Sequence, residues 1–165
     1  MSPRGVILEE RGETCMDRIL VPVTSHAGWA RDVAAAAVET EAGTKTEAIV
    51  THVFEDDEVE TTRSNLDVQV DDELTLDELA ARKQGVSATV DVFEDAGITT
   101  HCRGLAGGAD AAGAIVETIE AEDADRIYLY SRKRSPAGKA VFGSTIQRIL
   151  LNASCPVVVL PYGAR

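Results

Sequence analysis

Gly143, Ser144 and Thr145 stand at the predicted start of a helix, directly after a basic stretch of the chain. Residues 126–165 contain seven Lys or Arg and no Asp or Glu, although the whole chain has a net charge of −12. Free backbone N–H groups at a helix N-terminus, together with two hydroxyl groups, can bind phosphate oxygens. The same residues could instead be structural, with Gly143 allowing close packing and Ser144 or Thr145 capping the helix. The residue types alone leave both alternatives open.

Two other stretches contain glycines in patterns that nucleotide-binding loops also use. Gly138 and Lys139 match only part of the phosphate loop G-x-x-x-x-G-K-[ST]. Lys133 stands at its first glycine, and Ala140 replaces the hydroxyl residue that would hold Mg²⁺. Residues 104–108 are rich in glycine but do not follow G-x-G-x-x-G, so that a tight turn is the simpler interpretation. Neither stretch predicts a Walker-type nucleoside triphosphatase or a dinucleotide-binding enzyme.

The other reactive side chains form no recognisable catalytic or metal-binding set. His26 follows the first predicted strand and could hydrogen-bond a ligand there. The other two histidines lie in predicted strands, where a lone histidine usually has a structural role. The three cysteines are widely spaced, which argues against a disulfide framework or a zinc site. We therefore expect no catalytic residues, no metal site and no enzyme activity.

Composition restricts the partners and the location that can be expected. A net charge of −12 argues against duplex nucleic acid, whose binding depends on neutralising phosphates. No apolar run approaches the roughly 20 residues of a membrane span, and the N-terminus lacks the apolar core of a signal peptide. We expect a cytoplasmic protein that binds neither membranes nor nucleic acid. The acidic, lysine-poor composition further suggests a cytoplasm of high salt concentration.

Apolar runs and helical periodicity alternate along the chain. Continuous apolar runs, typical of buried parallel strands, predict five strands, at residues 18–23, 48–54, 98–103, 126–130 and 157–160. Helical spacing of apolar residues predicts four helices between them: one that ends at Gly43, a long one from about residue 72 to residue 95, one at residues 110–122, and one that begins near Gly143. Strands joined by helices of this length run parallel with right-handed crossovers, which predicts a doubly wound α/β fold.

Three further expectations concern the parts between and around these elements. Residues 1–15 have no clear period and are expected to be a loose extension, so that one domain covers residues 16–165. The strongly acidic residues 55–73 are expected to form a solvated loop. The last helix is expected to bury Ile146, Ile149, Leu150 and Ala153.

Four stretches together resemble the universal stress protein family. They are DRILVPV at residues 17–23, THVF at 51–54, EAEDADRIYLYSRKRSP at 120–136 and GKAVFGSTIQRILLNASCPVVVLP at 138–161. The resemblance covers the chain from residue 16 to the end. It implies a flavodoxin-like, or adenine nucleotide alpha hydrolase-like, parallel sheet in the order 3-2-1-4-5. It also implies a homodimer through the edge strand that begins at Val157 and ends at Leu160.

The resemblance further implies an adenine nucleotide, ATP or AMP, in the crevice between strands one and four. The implied contacts are Pro22, Thr24, Ser131, Arg132, Gly143, Ser144 and Thr145. Nucleotide-binding members carry G-x2-G-x9-G-[ST] after strand four, whereas this chain has Tyr130 and Lys133 at the first two glycine positions. Thr24 also stands where binding members carry Asp.

These departures leave two functions open. The first is a regulatory module that binds the nucleotide weakly, because Tyr130 narrows the space for a backbone approach whereas Lys133 adds a cation that favours phosphate. The alternative is a dimeric stress-response interaction protein that binds no nucleotide.

Overall fold

The computed structural model describes residues 16–65, 74–131 and 142–161. The predicted extension at residues 1–15, the end of the acidic stretch, Arg132 and Lys133 therefore lie outside the described residues. Five strands are present: β1 (Asp17–Pro22), β2 (Thr46–Phe54), β3 (Thr99–Ala106), β4 (Arg126–Ser131) and β5 (Val157–Pro161). Six helices are described: α1 (Ala27–Thr40), α2 (Glu58–Asn65), α3 (Leu76–Ala81), α4 (Gln84–Asp95), α5 (Ala111–Ala121) and α6 (Ser144–Asn152). None of these helices is both long and apolar enough to cross a bilayer.

The five strands form one parallel sheet in the order β3-β2-β1-β4-β5. This order confirms the predicted doubly wound topology, with β1 at the centre and β3 and β5 at the two edges. Chain order reverses at β1, because β2 lies on one side of it and β4 on the other. Loops at the carboxyl ends of β1 and β4 diverge at such a reversal and leave a crevice between them.

Side chains of the central strands alternate between two apolar cores, one on each face of the sheet. Ile19 and Val21 point into a core shared with α1 and α4, whereas Leu20 and Ile127 point into a core shared with α5 and α6. All four side chains are fully buried. Burial on both faces is the reason that these strands read as continuous apolar runs in the sequence.

A buried polar cluster at the amino ends of the strands ties α1 to β4. Glu41, at the end of α1, is only 4% exposed and accepts hydrogen bonds from Arg126 Nε at 2.7 Å and from the Tyr128 hydroxyl at 2.5 Å. Burial and the bond to Glu41 raise the pKa of Tyr128 to about 12. Thr44 and Thr46 complete the cluster. It lies at the opposite end of the sheet from the crevice and has a structural role.

The structure corrects the prediction of a loop at residues 55–73, because residues 58–65 form α2. Thr62 is the only buried residue of α2, and the helix is held through specific contacts. Val59 packs with Phe54 and Leu79 in a third, small apolar cluster, and Glu58 binds the body of the domain through its carboxylate. Composition predicted a solvated segment because almost every side chain of α2 is polar.

The prediction of one long helix from about residue 72 is also wrong. The structure has two helices there, α3 and α4, with Arg82 and Lys83 between them. Thr75 starts α3 with a capping box to Glu78. Lys83 then adopts an extended backbone before α4. Gly85 in the first turn of α4 packs so closely that an added Cβ would lie 1.8 Å from the Thr24 carbonyl oxygen. This contact explains the glycine, which helical periodicity indicated only as a weak point.

Two smaller predictions are wrong. Strand β3 extends to Ala106, so that Gly104 lies within a strand rather than a turn, and a Cβ there would lie 2.1 Å from the Leu76 carbonyl oxygen. The close packing of α3 on this part of β3 requires the glycine. In α6, Ile149 is buried as predicted but Leu150 is 40% exposed, because the adjacent position on a helix points about 100° away.

Candidate functional site

A cleft of about 660 Å³ opens at the carboxyl ends of β1 and β4, where the chain order reverses. Six of the seven residues implied by the resemblance line it: Pro22, Thr24, Ser131, Gly143, Ser144 and Thr145. The seventh, Arg132, lies outside the described residues. The volume is in the range of small-molecule sites. The structure thus brings together residues that are more than 120 positions apart in the sequence.

The N-terminus of α6 forms one end of this cleft. Gly143 is the N-cap residue, and no side-chain hydrogen bond caps the helix among the described residues. The sequence alternative in which Ser144 or Thr145 caps α6 is therefore not what the structure shows. Both hydroxyl residues are exposed at the first helical positions. With the positive end of the helix dipole, they form a surface suited to an anion.

The loop after β1 forms a second side of the cleft. Pro22 ends β1 in register with Thr51 of β2. Thr24 is exposed, and its hydroxyl accepts a hydrogen bond from the His26 backbone N–H at 3.4 Å. The backbone of Thr24 packs closely on Gly85 of α4, and this contact fixes the position of the loop above the sheet.

Three aromatic rings stand together beside this loop. The His26 ring stacks on Trp29 with centroids 3.9 Å apart, and Trp29 lies nearly parallel to Tyr130 at 5.6 Å. His26 also caps α1, since its Nδ1 accepts a hydrogen bond from the Trp29 N–H at 3.3 Å. Trp29 and Tyr130 line the cleft. Sequence reasoning identified His26 and Tyr130 singly but missed Trp29, the only tryptophan of the chain.

A hydrogen-bonded triad of His52, Glu58 and Lys83 borders the cleft near the end of β2. Glu58 Oε1 accepts hydrogen bonds from Lys83 Nζ at 2.6 Å and from His52 Nε2 at 2.8 Å. Burial raises the pKa of Glu58, but these bonds and one from the Glu55 backbone N–H outweigh burial and hold that pKa at about 2. The other ring nitrogen of His52 faces the Val23 carbonyl oxygen at 3.2 Å. The carboxylate is therefore charged, and it anchors α2 at the edge of the cleft.

A second cavity of about 530 Å³ adjoins the cleft at Ser144 and Thr145. Its wall is acidic, with Glu55, Asp56, Asp57 and Asp110. Arg148 of α6 pairs with Asp110 at 2.6 Å, and bonds from the Gly113 N–H and from Arg148 lower the pKa of Asp110. In the part of the chain that the structure describes, no group of three or more His, Cys, Asp or Glu residues could hold a metal ion.

Solved structures share this fold over nearly their whole length. The chain is 24% identical to the universal stress protein from Archaeoglobus fulgidus, which covers 88% of this chain and 98% of its own, with a TM-score of 0.64. A complex with dAMP of the universal stress protein from the same organism is 20% identical over 88% and 97% of the two chains, with a TM-score of 0.59. A universal stress protein in complex with cAMP is 15% identical over 90% and 98%, with a TM-score of 0.60.

No curated protein gives a significant match to the chain. The model of the universal stress protein family matches residues 16–161, which include every strand and helix described above. The strand order and the crevice between β1 and β4 agree with the fold that the sequence resemblance implied. The chain therefore belongs to the universal stress protein family.

Proposed function

We propose that the protein is a regulatory module that binds an adenine nucleotide, AMP or ATP, weakly in the cleft between β1 and β4. The observation that carries the proposal is the convergence of six predicted contacts on one cleft with the uncapped N-terminus of α6 at its end. Relatives of the same fold bind dAMP and cAMP. We propose no catalytic step, because the cleft holds no nucleophile with an adjacent general base among the described residues.

In this proposal the phosphate lies at the start of α6. The backbone N–H groups of the first turn and the hydroxyls of Ser144 and Thr145 donate hydrogen bonds to its oxygens. Arg132 directly follows Ser131 in the chain and supplies positive charge. Thr24 faces the ribose, where its hydroxyl replaces the carboxylate found in binding relatives.

Calorimetric titration with AMP and with ATP, with and without Mg²⁺ and in concentrated KCl, tests the proposal. Ser144→Asp is the informative variant, because an acidic residue in the first turn stabilises the helix but repels a phosphate. Ser87→Asp is the matched control, since Ser87 lies in the first turn of α4 and lines neither cavity. We expect Ser144→Asp to abolish binding and Ser87→Asp to leave it unchanged. Absence of heat and of a thermal shift at millimolar nucleotide would refute nucleotide binding.

We also propose a homodimer that forms through β5. In the described part of the chain β5 pairs only with β4, so that its outer edge can accept another strand. The opposite edge is covered where α3 packs on β3, and Asp77 there accepts a hydrogen bond from the Gly104 N–H at 2.8 Å. Leu151 of α6, the helix that leads into β5, is 84% exposed. A surface of this kind suits an isologous dimer.

The alternative function, an interaction protein without nucleotide, rests on the same dimer and on Tyr130 in place of the motif glycine. The titration above separates the two, because the alternative predicts dimers and no heat. For either function we propose a cytoplasmic location, which the sparse, widely spaced cysteines and the acidic composition support.

A further inference from the structure

We propose that Trp29 and Tyr130 form an aromatic platform on which the flat ring of the ligand stacks. The proposal rests on the proposed function and deepens it, because it assigns a subsite for the base. It also gives Tyr130 a different role. In this proposal Tyr130, which stands at the position of a motif glycine, contacts the ligand and does not prevent binding.

The first support is the position of the two rings. Tyr130 is the penultimate residue of β4 and pairs with Leu160 in the sheet, so its backbone is fixed. Trp29 lies in the first turn of α1, whose N-terminus is capped by His26. Two regular elements thus hold the two rings nearly parallel, with an interplanar angle of 15°. Rings held in this way lose little conformational freedom when a ligand binds.

The second support is the space that remains beside the rings. The cleft keeps about 660 Å³ with Trp29 and Tyr130 both in its wall. The volume is larger than the lower limit of about 300 Å³ for small-molecule sites. Tyr130 therefore narrows the crevice without filling it. With centroids 5.6 Å apart, Trp29 and Tyr130 have no room for a third ring between them, and His26 stacks on Trp29 at 3.9 Å. The ligand must therefore stack on the outer face of Tyr130, whose side chain lines the cleft.

The third support is the arrangement of polar and apolar groups around the cleft. The hydroxyls and free N–H groups lie at the start of α6, on the side of the sheet that carries α5 and α6. Trp29 and Tyr130 belong to the side that carries α1, where Ala30 and Val33 continue an apolar wall. A ligand with an anionic end and a flat apolar end matches both sides at once. A nucleoside monophosphate has this chemistry.

Three substitutions at Tyr130 separate a platform from an obstruction. Tyr130→Phe keeps the ring, Tyr130→Leu keeps apolar volume without a π face, and Tyr130→Gly restores the first glycine of the family motif. Removing an aromatic ring that stacks on a base lowers the affinity roughly fivefold to a hundredfold. We expect AMP affinity to be unchanged in Tyr130→Phe and to fall by such a factor in Tyr130→Leu and Tyr130→Gly. Higher AMP affinity in Tyr130→Gly would show that the ring obstructs the cleft and would overturn the proposal.

Ribose 5-phosphate is the matched ligand control, because it has the sugar and phosphate of AMP but no base. Its affinity should be the same in the wild type and in all three variants. An equal loss for ribose 5-phosphate and AMP would show that the ring supports the fold or the sugar, and would also overturn the platform. Circular dichroism and thermal melting of each variant identify any loss that comes from unfolding.

Trp29 provides a second readout, since it is the only tryptophan in the chain. A purine stacked on the platform should quench its fluorescence, and ribose 5-phosphate should not. If the wild type binds no AMP, the proposed function and the platform both fail. If the wild type binds AMP but neither the Tyr130 variants nor the Trp29 fluorescence respond, only the platform fails.

Discussion

Replacing Glu58 with glutamine removes the charge that holds α2 against the body of the domain. The carboxylate accepts hydrogen bonds from Lys83 and His52, which lie on α4's N-cap and on β2. Glutamine has nearly the same shape, so the substitution leaves the packing of α2 in place. The change therefore isolates the contribution of the carboxylate charge.

The size of the effect follows from the pKa of Glu58. The folded state lowers that pKa from the ordinary 4.5 to about 2, which corresponds to a stabilisation of about 3 kcal/mol. The side chain is 25% exposed, so solvent screening reduces this value, and we expect a loss of about 2 to 3 kcal/mol in Glu58→Gln near neutral pH. The pKa of Glu58 is lower in the folded state than in the unfolded state. The stabilisation is therefore complete above pH 4.5 and is lost as the pH falls toward about 2.

Urea denaturation at a series of pH values measures this effect. The free energy of unfolding of Glu58→Gln is subtracted from that of the wild type at each pH, which cancels the titration of the other carboxylates. Glu60→Gln is the matched control, because Glu60 lies on the same helix, is exposed, and forms no ion pair among the residues described. We expect a difference that shrinks between pH 4.5 and about 2 for Glu58→Gln and a much smaller difference for Glu60→Gln.

Two results would refute this reasoning. A Glu58→Gln difference that stays constant down to pH 2 would show that packing or helix propensity, and not charge, causes the loss. A difference equal to that of Glu60→Gln would show that the triad contributes no more than an exposed carboxylate.

Three further substitutions test other features of the structure. Thr51 is fully buried and its hydroxyl has no hydrogen-bond partner among the described residues. Thr51→Val should therefore stabilise the protein by about 1 kcal/mol in urea denaturation, and a loss of stability would contradict this. Gly85→Ala places a Cβ against the Thr24 carbonyl oxygen and should cost about 1 to 3 kcal/mol. It should also weaken AMP binding through the displaced loop, and unchanged stability would refute the close contact. Leu151→Glu should convert dimers to monomers in light scattering without altering AMP binding, whereas a monomeric wild type would refute the dimer.

Much of the sheet could be predicted from short-range patterns. The strands β1, β2, β4 and β5 are apolar on both faces and are therefore visible as apolar runs. Gly43 ends the turn after α1 with a φ of 85°, a conformation that favours glycine. Asp110, directly before the amphipathic run of α5, caps that helix by accepting a hydrogen bond from the Gly113 N–H. In each case the cause of the structure lies within a few residues of the chain.

The errors occur where a distant contact decides the local structure. Helix α2 has a polar sequence and forms because Glu58 and Val59 find partners on other elements. Helices α3 and α4 are separate because Lys83 reaches Glu58 and Gly85 packs on Thr24. Periodicity contains no information about these partners.

The sequence by itself determined the parallel α/β sheet, the family and the residues at the start of α6. Burial patterns and the CPVVVLP stretch are local properties, and they are sufficient for those conclusions. Only the tertiary structure decided that Trp29 stacks beside Tyr130, that Glu58 is held by Lys83 and His52, and that a cleft remains beside the tyrosine. Trp29 and Tyr130, like Lys83 and Glu58, are far apart along the chain. Their contacts depend on how α1, α2 and α4 pack on the sheet, which no local pattern specifies.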